Sequence, residues 1–245
     1  MPNPIHIVVP ARYASTRLPG KPLADISGES MIVRVLQRAS LAANSSCIAA
    51  VDDDRVEQAV LASGHQAVMT SQEHESGSDR VMEVADVMGW ADEEIVINVQ
   101  GDEPLIPPAV IDSLAEAMQS DPVLGIGTVC EPLESGFEDP NIVKVVRDSS
   151  DNALYFSRAA IPYPRDGEMA EPAMRHVGIY AFRVGALRSA TSLTVGTLEV
   201  TERLEQLRWL QAGMQIRVIQ ALEAVPGGVD TEADLEAVRA IYEQS

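Results

Sequence analysis

Two rhythms of apolar residues alternate through the first half of the chain. Residues 5–9 (IHIVV), 47–51, 67–69 and 95–99 are short runs of mostly buried-type side chains, the length of a single strand. The first stops at Pro10, the second at Asp52-Asp53-Asp54 and the last at Gly101. Between them, residues 31–42, 56–62, 80–88 and 110–118 repeat apolar side chains every three or four positions, as in Ile32, Val35, Leu36 and Ala39, which predicts helices. This alternation predicts an α/β fold, a mostly parallel sheet with helices on both faces. Ligands of such sheets bind beyond the carboxyl ends of the strands. The segments after residues 5–9 and 95–99 are therefore the places to look for chemistry.

The second half has another pattern. Residues 125–130, 143–147 and 176–183 read as strands without regular helices between them, which suggests an antiparallel insertion. Residues 161–172 are rich in proline and charge and read as an exposed loop. A helix over 198–210, a strand over 216–221 and a helix over 231–242 close the chain, with Thr231 as N-cap and Asp234 three residues on. No internal repeat or interdomain linker interrupts the 245 residues, so one domain over 1–245 is expected.

Composition narrows the function. With 46% hydrophobic residues the chain can bury a substantial core, yet no apolar run is long enough to cross a membrane. The N-terminal segment lacks the features of a secretory leader, so a cytoplasmic protein without membrane insertion is expected. Cys47 and Cys130 lie far apart in apolar surroundings and read as reduced thiols. His6, His65, His74 and His176 are scattered, with no metal-ligand spacing. The net charge of −19 disfavours nucleic acid as a partner and makes any local basic cluster informative.

One such cluster follows residues 5–9, where Arg12, Arg17 and Lys21 stand within ten positions. A loop at a strand end can aim backbone N–H groups at phosphate, with arginine gripping bidentately; a solvated basic loop is the alternative. The segment is not a Walker A loop, and Gly125-Ile-Gly127 is not a dinucleotide fingerprint, because it opens no helix and lacks a third glycine. Asp102, just past residues 95–99, suits a Mg²⁺ ion held by one or two carboxylates and substrate phosphates, although Gly-Asp-Glu-Pro is also an ordinary turn. Asp230 is a candidate second ligand, while Asp52, Asp53 and Asp54 read as a solvated turn leading into a helix.

Eight motifs, in order along nearly the whole chain, resemble the 3-deoxy-manno-octulosonate cytidylyltransferase (CMP-Kdo synthetase) family. They are PARYASTRLPGKPL (10–23), SGSDR (76–80), NVQGDEPLIP (98–107), NIVKVV (141–146), YFSRAAIP (155–162), RHVGIYAFR (175–183), LEQLR (204–208) and GVDTEADLEAVR (228–239). The resemblance implies a nucleotide-diphospho-sugar-transferase-like sheet with a smaller mixed insertion over about 130–210 that helps form the sugar site and a homodimer. It implies the transfer of CMP from CTP to the anomeric hydroxyl of Kdo, with release of pyrophosphate, for lipopolysaccharide biosynthesis. Arg12, Arg17 and Lys21 would hold the CTP phosphates. Ser76, Gly77, Arg80 and Gln100 would line the cytidine side or the phosphates, and Asp102 and Asp230 would bind Mg²⁺. Arg158, His176, Tyr180, Glu205 and Gln206 would surround the sugar acid, with Arg158 chemically suited to its carboxylate. No side chain reads as a dedicated general base, so charge neutralisation and positioning are expected to dominate catalysis.

The chain departs from the family pattern in three places. Val51 stands where threonine is usual, Ser78 replaces a threonine, and the loop between Arg165 and Arg175 is short. The loop leaves 8-amino-Kdo or a sialic acid open as the acceptor. A non-catalytic nucleotide-binding regulator is a reading from another class, opposed by the retained Asp102 and Asp230. An NAD-dependent oxidoreductase lacks its glycine fingerprint.

Overall fold

The computed structural model describes residues 3–15, 18–42, 45–167 and 169–244. The first of the predicted strands is β1 (Ile5–Ala11), flanked by β4 (Ser45–Val51) on one side and β6 (Ile95–Asn98) on the other, both parallel to it. Beyond β4 lies β5 (Gln66–Met69), also parallel. Beyond β6 come β10 (Met174–Arg183), β7 (Ile126–Pro132) and β11 (Arg217–Gln220). The order is β11-β7-β10-β6-β1-β4-β5, and β10 is the strand that runs against its neighbours. A small hairpin, β2 (Asp25–Ile26) and β3 (Glu29–Ser30), stands apart from this sheet.

Alternate residues of β1 feed opposite cores, because successive strand side chains point to opposite faces. Ile7 and Val9 pack with α1 (Met31–Ala39), α2 (Asp54–Ala62) and α4 (Pro108–Ser120). Val8 packs on the other side with α3 (Gly77–Met88), α5 (Val184–Thr191) and α7 (Gln206–Gln211). The C-terminal helix α8 (Glu232–Tyr242) sets Leu235 and Val238 against Leu18, Ile26 and Met31. Among the described residues, no helix is long and apolar enough to cross a membrane.

The chain moves outward from β1 through β4 to β5, then returns to β6 on the far side of β1. Strand order thus reverses between β1 and β6, and a crevice opens beyond their carboxyl ends. Arg12 follows one strand end and Gln100-Gly101-Asp102 the other, so the two segments singled out by sequence meet at this switch point.

The second half corrects several expectations. Residues 126–132 and 174–183 belong to the main sheet rather than to a separate antiparallel unit. An antiparallel branch of the same sheet is the hairpin β8 (Lys144–Arg147) and β9 (Ala153–Ser157), joined to it by β8 pairing to β10. β9 and α5 were not foreseen. The helix expected over 198–210 is two helices, α6 (Thr197–Glu202) and α7, broken at Arg203, whose φ of 55° lies in the left-handed region. The break sends Glu202 and Glu205 to different partners, whereas residues three apart in one helix share a face. The pairing of β10 with β7 slips between Val177 and Tyr180, a bulge beside the crevice that sets the directions of His176 and Tyr180 separately.

Candidate active site

The crevice beyond β1 and β6 holds a cleft of about 500 Å³ lined by Arg12, Ser15, Lys21, Gln100, Asp102 and Asp230, among others. Lys21 Nζ donates to Asp102 Oδ2 at 2.6 Å and to Asp230 Oδ1 at 3.0 Å. Two carboxylates from segments 128 residues apart therefore share one cation. A backbone bond achieves this, since Val229 N–H donates to the Asp102 carbonyl at 2.8 Å. Gly101 lets the Asp102 segment lie close against the end of β1, because a Cβ there would sit 2.5 Å from the Pro10 carbonyl oxygen. Asp230 is fixed from behind by the start of α8, where Asp234 accepts from the Asp230 and Thr231 amides at 3.0 and 2.8 Å. Arg17 lies outside the described residues.

Glu103 beside Asp102 has a different role. Burial, and then the Asp102 charge, push its carboxyl up to about 8.

Pro10, Arg12 and Gln100 also line a second, smaller hollow of about 170 Å³, with His74, Glu75, Ser76, Gly77 and Arg80. Ser76 caps α3 and Asp79 completes the capping box, which opens the helix beside this hollow. Arg80 reaches it from a buried position. Its Nη2 donates to Asp52 Oδ2 at 3.2 Å, and its Nη1 to Thr70 Oγ1 at 2.5 Å and the Ser71 carbonyl at 3.1 Å. Burial lowers its pKa and Asp52 counters. The expected solvated turn leading into a helix is thus corrected at Asp52, while Asp54 is exposed and the helix follows as expected. Asp52 is buried, pairs with Arg80 and accepts from the Tyr13 amide at 2.8 Å, so it ties the basic loop to the wall of the hollow. Asp53 caps α2, and Asp54 is its first residue. Beside Val51, Thr70 Oγ1 donates to the Val51 carbonyl and accepts from Arg80.

His176, Tyr180, Glu205 and Gln206 gather on the face of the sheet that carries α3 and α7 and do not line these two clefts. Gln100 joins the regions by donating from Nε2 to the Gly178 carbonyl at 3.2 Å. Ser78 Oγ donates to Glu205 Oε2 at 3.0 Å. Glu205 Oε1 and the Tyr180 hydroxyl are buried with no hydrogen-bond partner among the described residues, and burial raises the pKa of both groups. Unpartnered buried polar atoms of this kind await a polar ligand or water. His176 Nε2 lies 2.9 Å from Thr128 Oγ1, which gives its own proton to the Ile179 carbonyl at 2.8 Å. His176 is therefore the donor, and burial with the nearby Arg175 charge lowers its pKa to about 3. Arg158 follows β9 on the insertion side, where its Nε donates to the Glu202 carbonyl at 2.7 Å.

Sequence reasoning missed Asp52, Thr128, Glu202 and Lys144. The one visible signal was Lys144, a charge inside an apolar strand pattern.

Comparison with known proteins places this arrangement. A cytidylyltransferase family model matches residues 6–216. The 3-deoxy-manno-octulosonate cytidylyltransferase of Cellvibrio japonicus is 49% identical over 250 residues, covering 97% of this chain and 98% of the relative. That of Saccharophagus degradans is 49% identical with 98% of both covered. A CMP:2-keto-3-deoxy-manno-octonic acid synthetase solved in complex with CTP superposes with a TM-score of 0.93 at 47% identity, over 99% of both chains. A cytidylyltransferase of Leptospira borgpetersenii, 16% identical over 99% of this chain and 88% of its own, shares the fold at a TM-score of 0.65. The chain belongs to the cytidylyltransferase family and, within it, to the 3-deoxy-manno-octulosonate cytidylyltransferases.

Proposed function

We propose that this chain transfers CMP from CTP to the anomeric hydroxyl of Kdo and releases pyrophosphate. The observation that carries the reading is the meeting of Lys21, Asp102 and Asp230 with Arg12 at the switch point, in a chain about half identical to named enzymes of this activity over their full length.

Two polyanions must meet in this reaction, so neutralising and aligning them is the main task. The triphosphate occupies the larger cleft, with Arg12 and Lys21 against its oxygens. The smaller hollow has room for a pyrimidine ring beside Ser76, Gly77 and Gln100, with the buried Arg80 charge behind. His176, Tyr180, Glu205 and Gln206 offer donors and acceptors to the sugar hydroxyls, and Arg158 pairs with the sugar carboxylate. The anomeric oxygen then forms its bond to the α-phosphorus as the bridge to the β-phosphate breaks. Pyrophosphate leaves with that electron pair, and the hydroxyl proton passes to solvent.

Mg²⁺ fits the donor set. Asp102 and Asp230 are close enough to share the Lys21 ammonium, and they provide the hard oxygens this ion prefers. Among the described residues no group of three or more His, Cys, Asp or Glu side chains converges, so phosphate and water must complete the shell. When bound, the ion supplies charge neutralisation at the phosphates and lowers the pKa of the attacking hydroxyl.

The working form is a cytoplasmic homodimer. A groove of about 690 Å³ beside the β8–β9 hairpin, with Tyr163 81% exposed on its wall, supports a second copy there. Light scattering that gives one chain mass would refute the dimer.

The experiment is pyrophosphate release from CTP and Mg²⁺ with Kdo, 8-amino-Kdo and sialic acid in parallel. Release with Kdo is expected. Preference for another acid moves the substrate, and no release from folded, CTP-binding protein leaves a regulator.

A further inference from the structure

Lys144 is a buried cation that the proposed chemistry leaves unused. It lies on β8 and is 0% exposed. A buried ammonium persists only when its hydrogen bonds are met. Nζ donates to the backbone carbonyls of Asp139 at 2.9 Å, Ile142 at 2.6 Å and Arg158 at 2.7 Å. Three acceptors match the three N–H groups of an ammonium, and a neutral amine would leave one carbonyl unmet.

Two of those carbonyls belong to the turn at 139–142, and the third belongs to Arg158. The same turn presents the Pro140 carbonyl to Arg158 Nη1 at 2.8 Å. From the other side, Glu202 at the end of α6 accepts through its carbonyl from Arg158 Nε at 2.7 Å. Its carboxylate accepts from the Arg158 amide at 2.9 Å and from Ser157 Oγ at 2.6 Å. Arg158 is thus held at its amide, its carbonyl, Nε and Nη1. Among the described residues its Nη2 has no hydrogen-bond partner.

We propose that Lys144 and Glu202 are positioning residues for the acidic sugar: the carbonyl cage of Lys144 and the end of α6 clamp Arg158 so that its guanidinium meets the substrate carboxylate already ordered. The inference rests on the assignment of Arg158 to that carboxylate. A guanidinium fixed before binding loses little further freedom when the acid arrives, so disorder at Arg158 should weaken sugar binding and spare CTP.

The test is steady-state kinetics with both substrates varied. Lys144→Met should raise the sugar KM by about tenfold and leave the CTP KM within about twofold. Arg158→Ala should raise the sugar KM by itself, and adding Lys144→Met to it should raise it no further, because residues acting through one group are not additive. Equal rises in both KM values, or a Lys144→Met effect that persists in full without Arg158, overturn the proposal. If Lys144→Met fails to fold, Glu202→Gln probes the same arginine from its other side, with the same split and the same loss of effect in Arg158→Ala expected. A normal sugar KM in Glu202→Gln then overturns the clamp. A normal sugar KM in Arg158→Ala overturns the clamp together with the Arg158 assignment, whereas a defect there with normal Lys144→Met and Glu202→Gln enzymes overturns the clamp alone.

Discussion

At the scale of single residues, Lys21 sets the resting charge balance of the cleft by pairing with Asp102 and Asp230 at once. Asp102→Asn keeps the shape of the side chain and a partner for Lys21 in Asp230, but removes one of two hard anionic ligands. Turnover should fall by at least roughly a hundredfold with the melting temperature nearly unchanged. Near-normal rates would remove Asp102 from the cation site. His176 gives a second residue-scale expectation. Its folded pKa of about 3 lies below the roughly 6.5 of an unfolded histidine, so the unfolded chain binds the extra proton between those values. The contribution of neutral His176 is complete above about pH 6.5 and is lost as pH falls toward 3, with a slope of at most about 1.4 kcal/mol per pH unit. Urea midpoints measured down from neutral pH should decline in the native chain and decline less steeply in His176→Gln. Equal slopes would show that His176 is free to protonate.

Elements carry these residues to their places through their ends. The capping box of α8 uses Asp234 to hold the amides of Asp230 and Thr231, so the helix start doubles as the support of a candidate ligand. Asp234→Ala should cost about 1 kcal/mol in thermal melts and raise the Mg²⁺ concentration needed for half-maximal activity. A loss of stability with unchanged Mg²⁺ dependence would confine the residue to capping. The bonds from Thr231 and from the Asp230 backbone hold the Asp234 pKa below its usual value, so this support disappears as acid protonates the carboxylate. The break at Arg203 shows the limit of periodicity as a guide. Apolar spacing over 198–210 fits one helix, whereas the break lets Glu202 accept from Ser157 and Arg158 while Glu205 accepts from Ser78.

For the whole molecule, 37 acidic against 18 basic residues leave a net charge of −19, and like charges on a compact body repel. Salt shortens the reach of that repulsion from about 30 Å at 0.01 M to about 8 Å at physiological strength, so the melting temperature should rise over that range of potassium chloride. A flat or falling curve in scanning calorimetry would mean that local pairs such as Arg208–Glu199 outweigh the overall field. The sequence by itself determined the α/β alternation, the strand ends that bear chemistry and the family, because periodicity and motif spacing are local properties written along the chain. It placed Asp102 and Asp230 at strand and helix ends but gave no distance between them. Only the tertiary structure brought them to one ammonium, since that depends on the Val229–Asp102 backbone bond between segments far apart along the chain. Only the fold moved Asp52 from a wet turn to a buried partner of Arg80, and made Lys144 the hub of three carbonyls. A buried charge is decided by what packs around it, and its neighbours come from distant parts of the chain.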